Sequence, residues 1–370
     1  MKDLENLKKL GFGMMRFPRK DGKIDKDELR LMVDEFLARG YKYFDTAYVY
    51  DDGGSEEMIG ELLSSRYPRE SFYLATKMPS KVLNAPEDLE TAFNLQLTRT
   101  KAGYFDFYLL HSIGRGNIET FDKMGAWEFM QQKKREGLIM HAGFSFHDSP
   151  EMLDEVLTAH PEVEFVQLQI NYADWDDPKV QSRLCYEVAR KHNKPVIIME
   201  PVKGGNLAGM NDEIRKVFTD AAPDKSVASW AVRFAASLEG VLVMLSGMSD
   251  LSQVKDNLAT FDDFKPLSDK EKTVIDTVRK MLAEIPTIPC TRCKYCVSGC
   301  PSNINIPGIL GVLNEHALYQ NAVREKGHYQ WVTNESGKAS DCMECGQCEA
   351  QCPQHIDIIN QLKKATELFD

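Results

Sequence analysis

Eight of the nine cysteines fall in two short runs, CTRCKYCVSGCP at 290–301 and CMECGQCEAQCP at 342–353. Both read C-x2-C-x2-C-x3-C-P, the ligand spacing of electron-carrying iron–sulfur clusters. Three cysteines at that spacing wrap one face of a cubane cluster, and the fourth, before proline, points away and completes the other cluster. On that logic Cys290, Cys293, Cys296 and Cys352 hold one [4Fe–4S] cluster, and Cys342, Cys345, Cys348 and Cys300 hold the second. Pro301 and Pro353 turn the chain away after the ligand and carry no N–H that needs a partner. Structural zinc is the alternative, but zinc prefers two separated C-x2-C pairs to runs ending in Cys-Pro. The ninth cysteine, Cys185, reads as a small core residue on an amphipathic helix.

A second set of reactive types follows successive apolar runs. Asp45 comes after KYF, Tyr50 five residues on, Lys77 after YLAT and His111 after FYLL. A carboxylate, a phenol, an amine and an imidazole of complementary chemistry are harder to dismiss together than any one loop residue alone.

The elements that must position them are short and regular. Eight apolar runs, KLGFGMM, YKYFDTA, FYLATK, FDFYLLHS, MHAGFS, FVQLQINY, PVIIMEP and VLVMLSG, read as strands buried on both faces. Amphipathic stretches alternate with them. DKDELRLMVDEFLARG places Leu29, Met32, Val33, Phe36 and Leu37 on one helix face with Gly40 as its stop, and SPEMLDEVLTAHP opens with Ser149 as N-cap and Pro150 as first helical residue. DDPKVQSRLCYEVARKHN and DKSVASWAVRFAAS read as further helices. Eight such units in about 260 residues have the rhythm of a (β/α)8 barrel, whose chemistry sits at the C-terminal strand ends. A doubly wound open sheet is the competing arrangement. The expected division is a barrel at 1–265, a linking helix at 266–289 with Ser268 as cap and Pro286 as stop, and a mainly α-helical cysteine domain at 290–370.

Two resemblances sharpen these expectations. The cysteine runs resemble the two-cluster bacterial ferredoxin pattern, although 41 residues separate Cys300 from Cys342, and the helical filler looks more like the α-helical ferredoxin domains of larger redox enzymes. FDTAYVYDDGGSEEMIGELL, LATK and DFYLLH resemble the signatures of the aldo/keto reductase family over about residues 10–260. That resemblance implies a (β/α)8 barrel that reduces aldehydes and ketones with NAD(H) or NADP(H), with Asp45, Tyr50, Lys77 and His111 as its four catalytic residues. Hydride reaching a carbonyl carbon leaves negative charge on oxygen that must be stabilised and protonated. A phenol of pKa about 10 is a poor acid at neutral pH, and an ammonium beside it lowers that value. Tyr50 is then the general acid, or the base in the oxidation direction, with Lys77 lowering its pKa. Asp45 holds the lysine, and His111 donates a second hydrogen bond to the substrate oxygen.

The same resemblance places Ser145 and Gln167 at the nicotinamide carboxamide. It places Gly247, Met248, Ser249, Gln253 and Asn257 on a strand-to-helix segment whose N-terminus is expected to take a phosphate. The chain departs from the family pattern at three points. DDGGSEE lengthens the continuation after the tyrosine, Glu200 and Pro201 stand where many members stack an aromatic on nicotinamide, and Gly247 and Gln253 replace the basic clamp for a 2′-phosphate. No glycine-rich flavin or dinucleotide fingerprint is present.

The net charge of −11 argues against nucleic acid or an anionic membrane surface as partner. No window approaches a membrane span, the N-terminal stretch lacks a signal peptide's apolar core, and metal-ligating thiolates suit a reducing compartment, so the expected location is cytoplasmic. Three roles follow. The chain is a reductase-like oxidoreductase whose clusters exchange electrons with the active site or with a redox protein partner. Alternatively it is an ordinary carbonyl reductase with structural or redox-sensing clusters. In the third reading it is an electron-transfer subunit whose barrel is a scaffold.

Overall fold

The computed structural model describes residues 7–370, and the first six residues of the stretch read for a leader lie outside the described residues. Eight parallel strands close into a barrel in chain order. They are β1 (Leu10–Gly13), β2 (Tyr43–Asp45), β3 (Tyr73–Met78), β4 (Phe105–Ile113), β5 (Ile139–Phe146), β6 (Phe165–Gln169), β7 (Val196–Met199) and β8 (Val241–Ser246). Each of the eight apolar runs supplies one strand. β8 pairs back onto β1 with Met244 opposite Leu10, which leaves no edge and rules out the open sheet.

Strand alternation explains which side chains reach the barrel's axis. Tyr43, Tyr73, Ala75, Phe107, Leu109, Phe165, Ile197 and Val243 fill the interior as one apolar cluster. Side chains two residues on share the same face. Asp45 therefore follows Tyr43 inward, Lys77 follows Ala75, His111 follows Leu109 and Gln167 follows Phe165. Pairing of Lys77 with Leu109 and of Asp45 with Ala75 sets these polar groups at one end of the barrel.

Helices cover the outside. Lys26–Ala38 buries Leu29, Met32, Val33 and Phe36 and is capped by Asp25, which accepts from the Glu28 amide. Pro150–Ala159 starts at Ser149, whose hydroxyl accepts from the Met152 amide. The helix expected from Asp176 onward begins only at Ser182, because Asp177 Oδ1 accepts from the amides of Lys179 and Val180 and holds a turn. The unread stretch after His111 forms two helices, Ile118–Met124 and Ala126–Arg135, broken by Gly125 at φ 71°.

The chain divides into two compact units. One holds the barrel, running through Val202 and resuming at Ser229–Ser268. The other takes Lys203–Ala228 and Asp269–Asp370, so it includes the segment that follows β7 as well as the cysteine runs. Within it, helix Asp269–Glu284 packs on helix Asp212–Ala221, with Ile275, Val278, Ile214 and Phe218 buried. Helices Ile306–Tyr319 and Ala322–Thr333 replace the single expected filler, because Gln320 turns left-handed at φ 50° and Asn321 caps the second.

One close approach ties the barrel's outer layer to its rim. Helix Gly54–Ile59 runs into a π-helical turn at Gly60–Ser64 against helix Glu87–Thr100. A Cβ on Gly60 would lie 2.1 Å from the Arg99 carbonyl oxygen. Backbone cannot yield as a side chain does, so Gly60→Ala should lower stability by about 2 kcal/mol, the usual cost of overpacking. Urea melts followed by circular dichroism measure this, and wild-type stability in the variant would show that the two helices can separate freely.

Candidate active site and cysteine hollows

Lys77 is 0% exposed, on a strand whose residues are all buried. A buried ammonium needs partners for its three protons. It finds three: Asp45 Oδ1 at 2.5 Å, the Thr46 carbonyl at 2.8 Å and the Tyr50 hydroxyl at 3.2 Å. Asp45 is buried too, and its other oxygen accepts from Gln167 Nε2 at 3.0 Å. Burial alone would depress the ammonium, but Asp45 and then Tyr50 outweigh it and hold Lys77 above the ordinary lysine value. It stays charged.

Tyr50 receives the opposite balance. Burial raises its phenol above the ordinary value, Lys77 pulls it down and Asp45 pushes it back up, so the net direction is upward. Lys77 lowers this pKa as expected, but its pull is smaller than the cost of placing a phenolate in this surrounding. Tyr50 is protonated at neutral pH. The His111 ring meets it edge to face, with centroids 5.9 Å apart. Burial first, and the Lys77 charge second, lower the His111 imidazole to about 3. It is neutral, and a neutral ring keeps one N–H to donate.

The residues after Tyr50 are held in an uncommon backbone. Asp51, Asp52 and Gly53 are left-handed in succession, at φ 51°, 54° and 95°. Aspartate tolerates this region better than most residues. Arg19, from a hairpin of Arg19–Lys20 and Lys23–Ile24, pairs with Asp51 and anchors the turn. Behind it sits a group that sequence reading missed. Glu56 is fully buried and accepts from Thr76 Oγ1 at 2.7 Å, Gln96 Nε2 at 2.8 Å and Arg99 at 3.3 Å. Burial still pushes its carboxyl up against those three donors. Glu56 stands in the quoted GSEEM stretch, but nothing local says that Thr76, Gln96 and Arg99 converge on it.

Ser145 and Gln167 lie opposite each other on β5 and β6, both buried, beside Asp45. Ser145 Oγ accepts from the Ser112 amide at 2.7 Å, where Ser112 turns left-handed at φ 60°. A donor hydroxyl and an amide side chain at this depth fit a carboxamide. Glu200, at φ 57°, pairs with Arg16 at 3.5 Å, and Arg16 lies over Gly247.

The residues of the segment after β8 are partly engaged with one another. Met248 is buried in the core, and Asn257 is buried and bonded to Ser246 Oγ at 3.2 Å. Ser249 and Gln253 bond each other, with the Ser249 amide donating to Gln253 Oε1 at 2.9 Å. Helix Leu251–Asp262 has its first amides taken by carboxylates: Gln253 N by Asp250 Oδ1 at 2.9 Å and Leu251 N by Glu28 Oε1 at 3.1 Å. Hydrogen bonds from Ser252 and Gln253 overcome partial burial and keep Asp250 below the ordinary carboxylate value. At the helix N-terminus expected to take a phosphate, these two amides are bonded to Glu28 and Asp250.

The cysteines surround two hollows in the second unit. Cys290, Cys293, Cys296 and Cys352 line one, with Pro307, Leu310, Ile356 and Ile358 behind them. Cys300, Cys342, Cys345 and Cys348 line another, with Ile304, Ile306, Ile359 and Leu362. Each hollow takes three cysteines from one run and one from the other. Among the described residues no three His, Cys, Asp or Glu side chains converge on a single ion. Rings of four thiols around an apolar hollow fit a multi-iron cluster better than one tetrahedral zinc.

Comparisons with known proteins agree with both halves. A model described as aldo/keto reductase family matches residues 9–280, and one described as 4Fe-4S dicluster domain matches residues 289–357. An uncharacterized oxidoreductase, YqkF, of Bacillus subtilis is 25% identical over 262 residues, covering 63% of this chain and 82% of its own. The 9,11-endoperoxide prostaglandin H2 reductase of Trypanosoma cruzi is 25% identical, covering 73% and 87%. Among solved structures, an aldo-keto reductase from Klebsiella pneumoniae in complex with NADPH aligns with TM-score 0.61 at 21% identity, over 74% of this chain and 91% of that one. AKR11C1 from Bacillus halodurans aligns with TM-score 0.58 at 23% identity, over 73% and 91%. These structures establish the barrel fold. No helix among the described residues is long and apolar enough to cross a membrane.

The buried ion pair can be tested without knowing a substrate. Lys77→Met strands the Asp45 carboxylate and should destabilise the protein by about 3–5 kcal/mol. Adding Asp45→Asn removes the stranded charge and should return part of that loss. Chemical denaturation of the three proteins decides it: a single Lys77→Met variant as stable as wild type would mean the pair is solvated.

Proposed function

The chain belongs to the aldo/keto reductase family, and we propose that it works as a nicotinamide-dependent oxidoreductase coupled to electron-carrying iron–sulfur clusters. The observation that carries the barrel reading is the Lys77 ammonium, bonded at once to Asp45 and to the Tyr50 hydroxyl. The substrate is a small carbonyl compound or alcohol at the barrel mouth. When bound, nicotinamide supplies or accepts the hydride. The NADPH held by the Klebsiella neighbour supports that cofactor class.

The chain's own residues do the rest. Tyr50 gives its phenolic proton to the carbonyl oxygen as charge develops there, and Lys77 stabilises the phenolate left behind. Asp45 keeps Lys77 charged and aimed. Neutral His111 donates a hydrogen bond to the same oxygen without bringing a second positive charge beside Lys77. Ser145 and Gln167 would hold the carboxamide. With Asp250 and Glu28 capping the helix after β8, an unphosphorylated ribose suits the site better than a 2′-phosphate, which favours NAD(H) over NADP(H).

In the second unit, Cys290, Cys293, Cys296 and Cys352 would bind one [4Fe–4S] cluster, and Cys300, Cys342, Cys345 and Cys348 the other. The four-cysteine rings support two clusters rather than one. Each cluster moves a single electron, whereas hydride carries two together with a proton, so two clusters match one hydride in electron count alone.

Tyr50→Phe should reduce aldehyde reduction by at least a hundredfold with little change in cofactor affinity, measured with NADH and NADPH side by side. Because the Tyr50 pKa is raised, the reduction rate should stay flat up to about pH 10 and fall only above it, while alcohol oxidation rises with pH. An unimpaired Tyr50→Phe enzyme would remove the acid role, and tighter binding of NADPH than NADH would remove the cofactor preference.

Anaerobically purified chain should contain about eight iron and eight sulfide and give EPR signals from two reducible clusters. A redox titration with NADH, with and without substrate, should then reduce them in part. Zinc in place of iron ends the cluster reading. Clusters that no nicotinamide or low-potential donor reduces would leave them a structural part only.

A further inference from the structure

The two cysteine runs share a backbone as well as a spacing, at a shift of 52 residues from Cys293 to Cys345. Arg292 and Glu344 are both left-handed, at φ 58° and 55°, and so are Lys294 and Gly346, at 65° and 73°. Asn303 and His355 both stand at φ 50°. The helical turn Tyr295–Ser298 matches Gln347–Ala350. The Cys300 amide bonds the Val297 carbonyl at 3.1 Å, as the Cys352 amide bonds that of Glu349 at 3.1 Å. One loop shape is used twice, so differences between its side chains are not dictated by folding.

Charge is where the copies differ. The first loop carries Arg292 and Lys294, both exposed, and among the described residues neither has a carboxylate partner. Tyr295 beside them is 60% exposed, next to the exposed Cys293. In the second loop Glu344 replaces Arg292 and is neutralised by Lys363 at 2.8 Å, and Gly346 replaces Lys294. Glycine at 346 shows that the loop needs no side chain there, and a left-handed lysine costs about 1 kcal/mol relative to it. No acidic side chain lines the first hollow, and Asp357 beyond it accepts from Asn360 at 2.7 Å. On a chain of net charge −11, two unpaired cations around an exposed ligand make a local target for an acidic surface.

We propose that the loop Thr291–Tyr295 is the docking surface for an acidic one-electron carrier protein, which exchanges its electron with the cluster held by Cys290, Cys293, Cys296 and Cys352. The proposal rests on the cluster reading above. In the reducing direction the carrier loses one electron and that cluster gains it, with no bond made or broken and no proton required. Arg292 and Lys294 steer the encounter, and the exposed Tyr295 supplies an apolar contact once the carrier is seated. The neutralised second loop lacks this attraction.

The test writes the second loop's residues onto the first. Arg292→Glu with Lys294→Gly places residues that positions 344 and 346 already hold at the same backbone angles, so the loop should fold unchanged. Full-length wild type and variant, matched for iron and sulfide, are reduced in stopped flow by two donors, an acidic plant-type [2Fe–2S] ferredoxin and the small methyl viologen radical cation. Retention of each oxidised protein on immobilised ferredoxin is measured in parallel. Wild type should bind the column at low salt, and its reduction by ferredoxin should slow about tenfold as ionic strength rises. The variant should be about tenfold slower with ferredoxin at low salt, lose its salt dependence and pass through the column, while its reduction by viologen stays within about twofold of wild type. A variant with undiminished ferredoxin rate and retention overturns the docking surface. Equal slowing with both donors overturns it as well, by placing the effect on the cluster rather than on the encounter. Proteins that hold no iron would overturn the cluster reading itself.

Discussion

A lysine ammonium with no access to water organises the mouth of this barrel. Left unpaired, such a charge would neutralise itself or unfold its surroundings. Lys77 remains charged because strands β2 and β3, paired in register, bring Asp45 and the Thr46 carbonyl to two of its protons and leave the third for Tyr50. The other features of the rim serve that arrangement. Gln167 takes the second oxygen of Asp45, and Arg99, paired with Glu56, packs against Gly53 in the turn after Tyr50. The result is a protonated phenol and a neutral imidazole around one fixed positive charge, which is the distribution that protonating a developing oxyanion requires.

The second unit meets a different constraint. Its core is built from Ile304, Ile309, Leu310, Leu313, Tyr329, Ile358 and Leu362, with six of the eight run cysteines in or against it and Cys293 and Cys345 exposed. Each cysteine run leaves its fourth thiol in the other's hollow, so neither hollow is complete without both halves of the unit. Metal clusters at such crossings tie folding to metal binding, since the ligand set exists only in the folded chain. The repeated loop also separates shape from charge. Shape is common to both copies, while charge is free to differ and does.

How much of this was legible depended on how local the cause was. The eight strands were legible from their apolar runs, and Ser149 from its position before a proline and an amphipathic run, because strand burial and helix capping involve near neighbours. The delayed start of helix Ser182–Lys191 was not legible, since it turns on which amides the Asp177 carboxylate takes. Nor was the helix after β8: the Glu28 carboxylate that occupies the Leu251 amide lies 223 residues earlier in the chain. That burial outweighs the Lys77 pull on Tyr50 was not legible either, because burial has no sequence signature.

The sequence by itself determined the chemistry available and the barrel rhythm. Cysteine spacing, strand alternation and the order of Asp45, Tyr50, Lys77 and His111 are all properties of short stretches. Only the tertiary structure decided what that chemistry meets. It assigned Glu56, Thr76, Gln96 and Arg99 to one buried network, filled a helix N-terminus with carboxylates, and put Lys203–Ala228 with the cysteine unit rather than with the barrel. The physical reason is the same in each case. A buried polar group is defined by the partners that reach it, and those partners come from parts of the chain that only folding brings together.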